Sequence, residues 1–238
     1  MSSFTIDSKI FDIFPNLAVG HFKVHNLKRV VSKINLETLH NEMISVLEEK
    51  NLDPALLSQD PNISSWRKAY SLMGVKPSKY LSSVEALTKR VLKNGAFSTG
   101  IPSVDIYNAV SIKNLAPLGA YDLNKLEDKE ITFRFINPEQ DNFTPLGGSA
   151  SSFPLTNQLV SYATDKDILC WGFNHRDSYD YCLDENTDSA WFFSEAVTEQ
   201  QYSSMKAVLE DLRLIFELSG AQVEPIHSFN VSSKTNIK

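Results

Sequence analysis

The sequence predicts an α+β fold, with mixed or antiparallel sheets packed against helices. Helix-period apolar patterns dominate the first half, alternating and short apolar runs follow in the second half, and a long amphipathic helix closes the chain. Because the predicted strands follow one another without regular intervening helices, this order does not fit βαβ winding.

The first half predicts a strand pair and four helices. Residues 11–23 predict strand, turn, strand around Pro15-Asn16. One helix starts after a cap at Asn35 and runs to about residue 50, and a second covers about 63–73. A third begins at the capping box Ser82-Ser-Val-Glu85 and ends at Asn94-Gly95, and Ser103 is the predicted cap of a fourth through Ser111.

The second half predicts four strands and the closing helix. The strands cover residues 131–136, 158–162, 168–173 and 190–193, and the helix covers 200–218 with Gly220 at its end. No linker or repeat interrupts the pattern. Residues 1–229 therefore predict a single domain, and residues 230–238 predict a polar C-terminal tail.

Composition limits the classes of protein that fit. The chain has 238 residues, of which 42% are hydrophobic, which is enough for a sizeable core. No apolar run reaches the roughly 20 residues that span a bilayer, and residues 1–7 resemble no signal peptide, so we expect a cytoplasmic protein without membrane contact. Cys170 and Cys182 are expected as reduced thiols, although their number allows one disulfide. No motif indicates a metal or cofactor.

Charge is distributed unevenly along the chain. The net charge is −6, but residues 66–95 carry seven basic side chains against Glu85, and the rest of the chain carries −12. This segment predicts either an RNA-phosphate footprint or two solvated helix faces. The candidate RNA-binding residues are Arg67, Lys68, Lys76, Lys79, Lys89, Arg90 and Lys93.

Two polar segments are unusual for a plain core. Asn174-His-Arg-Asp-Ser178 follows an apolar strand directly, and it predicts either a site at the strand end or a hydrogen-bonded loop. On the predicted fourth helix, Asp105, Asn108 and Ser111 share a stripe that predicts either a pocket wall or a solvated face.

Several motifs resemble the editing domain (B3/B4 domain) of the phenylalanyl-tRNA synthetase β subunit. Residues 103–110, Ser-Val-Asp-Ile-Tyr-Asn-Ala-Val, resemble the family pattern Val-Val-Asp-x-Thr-Asn-Tyr-Val, and residues 116–126 resemble Gln-Pro-x-His-Ala-Phe-Asp-x-Asp-Lys-Leu. Residues 131–134 resemble the strand ending in Arg, and 169–178 align with Leu-Ala-Gly-Val-Met-Gly-Gly-x-x-Ser. Residues 187–195 resemble the segment with the pocket glutamate. Residues 66–100 resemble the free-standing branch, with Lys-Pro-Ser before Ser-x-Glu-Ala-Leu.

This resemblance implies hydrolysis of a wrong aminoacyl ester on a tRNA end, without a cofactor. It matches Glu195 to the pocket glutamate, and in the deacylase hypothesis His175 and Glu195 position water while Arg176 and Asp177 orient them. It places Asp105, Asn108, Gly119 and Asn174 in the pocket.

Two departures from the family pattern keep other functions open. The family histidine falls on Gly119, and the family glycine pair falls on Asn174-His175. The leading hypothesis is a trans-acting tRNA deacylase. The second is a non-catalytic module that binds a tRNA end or an amino-acid-like ligand, and the third is hydrolysis of a small aminoacyl compound without RNA.

Overall fold

The predicted α+β fold is confirmed in a computed structural model that describes residues 2–231. Seven α-helices lie in this part of the chain: α1 Leu27–Val31, α2 Leu36–Glu49, α3 Pro61–Leu72, α4 Ser83–Asn94, α5 Pro102–Asn114, α6 Leu123–Leu126 and α7 Tyr202–Leu218. The strands are β1 Phe4–Ile6, β2 Ala18–His25, β3 Gly119–Asp122, β4 Ile131–Phe135, β5 Val160–Ala163, β6 Ile168–Trp171, β7 Arg176–Asp177, β8 Ser189–Ala196, β9 Gln222–Val223 and β10 His227–Asn230.

The strands form two five-stranded sheets. Sheet A has the order β1-β4-β5-β6-β7, and its β1–β4 pair is parallel while the others are antiparallel. Sheet B has the order β10-β2-β8-β3, is antiparallel throughout, and adds β9 at one end of β2. The prediction of mixed or antiparallel sheets is therefore correct.

The sheets face each other across an aromatic core. Phe133 and Tyr162 of sheet A pack with Tyr121 and Phe193 of sheet B, and the rings of Tyr162 and Phe193 lie 5.0 Å apart. Burial of such large rings supplies most of the apolar area that drives folding. The other face of sheet B packs on α5 and α7, where Phe192 contacts Phe216.

Helix α5 is surrounded rather than amphipathic. It packs on sheet B and α7 on one side and on α2 and α4 on the other, so every residue from Ser103 to Ile112 except Val104 is buried. The predicted solvated stripe of Asp105, Asn108 and Ser111 is therefore wrong, because helices cover the side that the pattern assigned to water. A helix that is buried on all sides has no clear periodicity of apolar and polar residues in its sequence.

Side-chain caps explain why most predicted helices were found. The side chains of Asn35, Asp60 and Ser82 accept bonds from the first turns of α2, α3 and α4, and Gly95 ends α4 in the left-handed region. Ser103 is not a cap, because α5 begins at Pro102.

The predicted first strand at the N-terminal end is wrong. Residues Ser8–Asp12 form a 3-10 helix, capped by the Asp7 carboxylate, and only β2 follows the expected extended path. No helix in the described part of the chain is long and apolar enough to cross a membrane. Most of the predicted polar tail, residues 232–238, lies outside the described residues, and Asn230 ends strand β10.

Candidate functional site

A small cavity at the edge of the aromatic core brings four of the predicted site residues together. Gly119, Asn174, Asp177 and Glu195 all line it. Its volume is about 20 Å³, which is room for about one water molecule. The other lining residues are Ser83, Leu118, Tyr121, Tyr162, Cys170 and Phe173.

Neighbouring strands of sheet B and the turn after β6 position these side chains. Glu195 lies near the end of β8 opposite Val19, and Gly119 starts β3 opposite Phe193, so both residues point into the space between the sheets. The turn after β6 has two consecutive residues with positive φ, Gly172 and Phe173. This sharp reversal brings Asn174 back beneath Glu195.

A chain of hydrogen bonds fixes the Glu195 carboxyl group. The Tyr162 hydroxyl donates to Oε1 at 2.5 Å, and Nδ2 of Asn174 donates to Oε2 at 3.2 Å. The Tyr70 hydroxyl donates to the Gly172 carbonyl at 2.7 Å and lies 3.2 Å from Oδ1 of Asn174. Because both carboxyl oxygens are engaged, the group has one orientation toward the cavity.

Burial dominates the electrostatics of the cavity. It raises the pKa of Glu195 to about 7, against the opposing effect of the bonds from Tyr162 and Asn174. Burial also raises the pKa of Asp177, whereas its bond with the Cys170 thiol and the charge of Arg176 lower it. A carboxyl group that exchanges its proton near neutral pH is suited to general base work.

Two further features would let the cavity accept a ligand: an unpaired hydroxyl group and open space beside a glycine. Ser83 begins α4 and lines the cavity, and its buried Oγ has no hydrogen-bond partner in the part of the chain that the structure describes. No atom lies within 4 Å of the Cβ position that a side chain at Gly119 would occupy. A substrate atom can therefore approach along the Gly119 backbone and meet a free hydroxyl donor.

His175 and Arg176 lie outside this cavity. The His175 ring packs beside Trp171 and Tyr80, and its Nδ1 lies 2.6 Å from the Leu81 carbonyl. Nδ1 donates this bond, because a carbonyl oxygen can only accept, and burial lowers the pKa of His175. Arg176 is exposed, and it donates to the Leu146 carbonyl at 3.2 Å.

Asp105 and Asn108 do not line the cavity either, and their pocket role stays a prediction. The Asp105 carboxylate accepts bonds from the Ser98 hydroxyl and from the backbone and hydroxyl of Thr99, and it thereby fixes the loop before α5. Asn108 is buried on α5, one turn further along.

The basic segment divides into structural and free side chains. Arg67 of α3 and Lys89 of α4 both bind the fully buried Glu85 carboxylate, at 2.5 and 2.6 Å. Arg67 thereby links α3 to α4, while Lys89 neutralises Glu85 from within α4. The remaining five predicted RNA-binding residues are exposed: Lys68, Lys76, Lys79, Arg90 and Lys93.

Sequence patterns did not identify several lining residues. Tyr162 and Ser83 line the cavity, and Tyr70 bonds Asn174 from behind it. The three residues belong to three different elements, and each fits a plain core or cap pattern. The polar run after β6 pointed to Asn174, and only the aligned family segments pointed to Glu195. Among the described residues, no group of three or more His, Cys, Asp or Glu side chains is arranged to hold a metal ion.

Comparison with known proteins identifies a family and similar solved structures. The B3/4 domain family matches residues 65–210. No curated protein matches the chain. Among solved structures, an N-terminal fragment of the phenylalanyl-tRNA synthetase β subunit from Pyrococcus horikoshii is similar, with 11% identity and a TM-score of 0.44. The match covers 93% of this chain and 50% of that fragment, so the chain spans half the fragment's length.

Proposed function

The chain belongs to the B3/4 domain family, and on that premise we propose that it hydrolyses the ester of a mischarged aminoacyl-tRNA in trans. One observation carries this proposal. The Glu195 carboxyl, with a pKa of about 7, is held at a cavity that fits one water beside the open backbone of Gly119. An ester is already activated, so a positioned water and oxyanion donors suffice.

In the proposed reaction, the Glu195 carboxylate accepts a proton from the water as it attacks the ester carbonyl. Tyr162 and Asn174 hold the carboxylate in place. The ester enters over Gly119, and the Ser83 hydroxyl donates to the oxygen that becomes negative. When the tetrahedral intermediate collapses, the bond between the carbonyl carbon and the ribose oxygen breaks, and the protonated Glu195 returns its proton to that leaving oxygen. The products are a free amino acid and a tRNA with a free terminal hydroxyl.

The other predicted site residues have indirect roles in this proposal. His175 ties the segment before α4 to the turn that carries Asn174, through its bond to Leu81. Asp177 adds a second carboxyl group at the cavity, and Arg176 lowers its pKa. Asp105 and Asn108 support the site from helix α5.

The tRNA would lie on the exposed basic side chains of α3, α4 and the loop between them. Lys68, Lys76, Lys79, Arg90 and Lys93 keep their charges free for phosphates. Helix α4 joins this surface to the cavity, because its first residue lines the cavity and its last turn carries Lys93. This surface favours an RNA substrate over a small aminoacyl compound.

A deacylation screen tests the proposal. Wild-type protein is incubated with a panel of aminoacyl-tRNAs, and with small aminoacyl esters as RNA-free substrates. We expect accelerated hydrolysis of at least one aminoacyl-tRNA, and a fall of roughly 10- to 1000-fold in Glu195→Gln. Glu199→Gln, which changes an exposed carboxylate, is the matched control and should retain the wild-type rate.

A second candidate function is binding without hydrolysis. It is favoured by the absence of a side chain at Gly119 and by a cavity that admits only about one water. In that case aminoacyl-tRNA would bind with salt-dependent affinity, while no member of the panel would hydrolyse faster than in buffer.

A further inference from the structure

A second cavity lies at the opposite end of the same face of sheet B. Its volume is about 240 Å³, and its walls include His21, Lys23, Trp191, Glu224, His227 and Phe229. Trp191 is four residues before Glu195 on β8, which separates the two sites by about 13 Å along the strand. Trp191 belongs to the aligned segment 187–195, but the proposed hydrolysis uses none of these residues.

The protonation of His21 at this cavity follows from its hydrogen bonds. The indole Nε1 of Trp191 donates to Nδ1 of His21 at 3.0 Å, so Nδ1 is an acceptor. Burial, aided by the charges of His227 and Lys23, lowers the pKa of His21 to about 3 and keeps the ring neutral. The ring proton must therefore lie on Nε2.

This Nε2–H donor has no protein partner. His21 is only 6% exposed, and among the described residues no acceptor lies within hydrogen-bond reach of its Nε2. An unpaired buried donor destabilises a protein, and such groups concentrate at sites that need them. An acceptor on a ligand in the adjoining cavity would satisfy it.

The rings around His21 favour a flat ligand. His21 stacks on Phe229 with an interplanar angle of 13° and a centroid distance of 5.3 Å, and His227 lies 5.5 Å away at 32°. His227 is exposed, so a further ring can extend this stack. The rim carries opposite charges, with the Lys23 ammonium 4.4 Å from the Trp191 ring centroid and the Glu224 carboxylate beside it.

We propose that this cavity binds a nucleobase. The base would lie against the exposed His227 ring with its edge toward His21, because the His21 ring itself is packed by Phe229 and Phe193. It would accept the in-plane Nε2–H proton at a ring nitrogen or carbonyl, and donate an amino or imino proton to Glu224, whose Oε1 also bonds His25 at 3.1 Å. An aliphatic ligand offers no stacking face. A bound water alone would satisfy the donor but would leave the stack and the charged rim unused.

NMR of the tryptophan indole N–H groups tests the proposal directly. Trp191 reports on the cavity through its bond to His21, while Trp66 and Trp171 are internal controls outside it. The probes are adenosine, cytidine and uridine, with ribose 5-phosphate as a base-free control. We expect a saturable shift of the Trp191 signal with at least one nucleoside and none with ribose 5-phosphate.

Two variants distinguish the effect of losing the His21 Nε2–H donor from a general effect of packing on nucleoside binding. His21→Phe keeps a ring but removes the donor, and we expect it to weaken nucleoside binding by about 10-fold or more. His40→Phe is the matched control, because His40 also has a buried unpaired Nε2 but lies on α2 beside Phe97. It should bind like the wild type. Circular dichroism and cooperative unfolding check that both variants fold.

The nucleoside-binding experiment can succeed or fail independently of the deacylation screen. A short single-stranded RNA that binds more tightly than its free nucleoside would show that the base comes from an RNA strand. Equal affinities would indicate a free nucleoside as the ligand. The proposal is overturned if no probe shifts Trp191 in a saturable way, or if His21→Phe responds as the wild type does.

Discussion

At the scale of single residues, two opposing effects set the pKa of Glu195. Burial between the sheets raises its pKa and favours the neutral acid, whereas the bonds from Tyr162 and Asn174 favour the carboxylate. The balance near pH 7 leaves both forms populated at neutral pH. Such a balance costs stability whenever the carboxylate forms, and cavities that perform chemistry commonly carry this cost.

The pH dependence of stability should reveal this group. A carboxyl whose pKa is raised by folding, from 4.5 to about 7, stabilises the fold at low pH and loses that contribution as the pH rises through 7. The Glu195→Gln variant has no carboxyl group at this position, so it loses no such contribution. The free energy of unfolding of the variant, relative to that of the wild type, should therefore increase by up to about 3 kcal/mol between pH 4.5 and 8. Urea unfolding across this range measures the difference. A difference that stays constant with pH would place the Glu195 pKa near its ordinary value.

Restoring the family histidine at position 119 should be tolerated. No atom lies within 4 Å of the new Cβ, and His175, the alternative occupant, packs elsewhere beside Trp171. The cavity has room for only about one water, so the imidazole must lie along the open side of Gly119 and not in the cavity. In that position Gly119→His should change the free energy of unfolding by less than about 1 kcal/mol, where overpacking would cost about 1–3 kcal/mol. Deacylation of the best substrate should be unchanged or faster. Gly20→Ala is a contrast, because its Cβ would lie 2.4 Å from Leu209.

His175 should affect the reaction rate by holding neighbouring residues in position, and not by transferring a proton. His175→Ala removes a packed ring and the bond to Leu81, and we expect a loss of about 2 kcal/mol in stability and a slower reaction. His175→Asn keeps an N–H near the Leu81 carbonyl and should recover most of the rate. If a folded Asn variant is as slow as the Ala variant, His175 takes part in proton transfer.

Sequence reasoning reached the site residues in two ways: the polar run after β6 indicated Asn174 to Asp177 as a candidate site, and the aligned motifs indicated a pocket. Those segments gave Gly119, Asn174 and Glu195, which line one cavity. They also gave His175, but adjacent residues of the turn after β6 point in different directions, and no local pattern specifies which one faces the cavity. Tyr162 was missed because a buried tyrosine on a strand is indistinguishable from core until its hydroxyl partner is known.

At the scale of elements, helix α4 joins the chemistry to the basic surface. Its N-terminal residue Ser83 lines the cavity, and its N–H bonds the Asn174 carbonyl at 3.1 Å. Its middle is anchored by the buried Glu85, which binds Arg67 and Lys89. The cavity and the basic surface therefore share one helix, which begins at the cavity-lining residue Ser83.

Charge reversal should distinguish the exposed basic residues from the anchored ones. Lys68, Arg90 and Lys93 changed together to Glu should leave the fold intact and weaken tRNA binding. The slope of log affinity against log salt should fall by up to about 2–3, since each lost phosphate contact contributes about 0.9. Filter binding at several salt concentrations measures this slope. An unchanged slope would exclude this face as the tRNA surface.

Arg67→Ala is the matched control for the charge-reversal variant, because Arg67 lies in the same basic segment but binds Glu85. It leaves the buried Glu85 carboxylate with Lys89 as its remaining cation, and it should cost about 3 kcal/mol of stability. A lower free energy of unfolding, with an unchanged salt slope measured on the folded variant, would confirm that Arg67 holds the helices rather than RNA.

Helix ends were the elements that sequence predicted best. Asn35, Ser82 and Gly95 mark their boundaries through local hydrogen bonds or backbone angles, which the sequence encodes directly. Strands β1, β3 and β10 have only three or four residues each, and their pairing partners are distant along the chain. Their existence depends on tertiary pairing that no local window contains.

At the scale of the whole molecule, the N-terminal strands complete both sheets. Strand β2 lies between β8 and β10 in sheet B, and β1 pairs with β4 at the edge of sheet A. The main core draws residues from Phe4 to Val197, so no position between them separates two independent cores. We propose on this basis that residues 1–229 fold as one domain.

This proposal predicts that residues 65–210, the segment matched by the family, cannot fold alone. The fragment lacks β2, whose eight residues all pair with β8, and it would expose the strand that carries Glu195. It also lacks Phe4 and Val19, which pack in the main core. We expect the full chain to unfold in one cooperative transition, with tryptophan fluorescence and circular dichroism coincident, and the fragment to show no transition. If residues 65–210 unfold cooperatively, the N-terminal strands are an addition to an autonomous core.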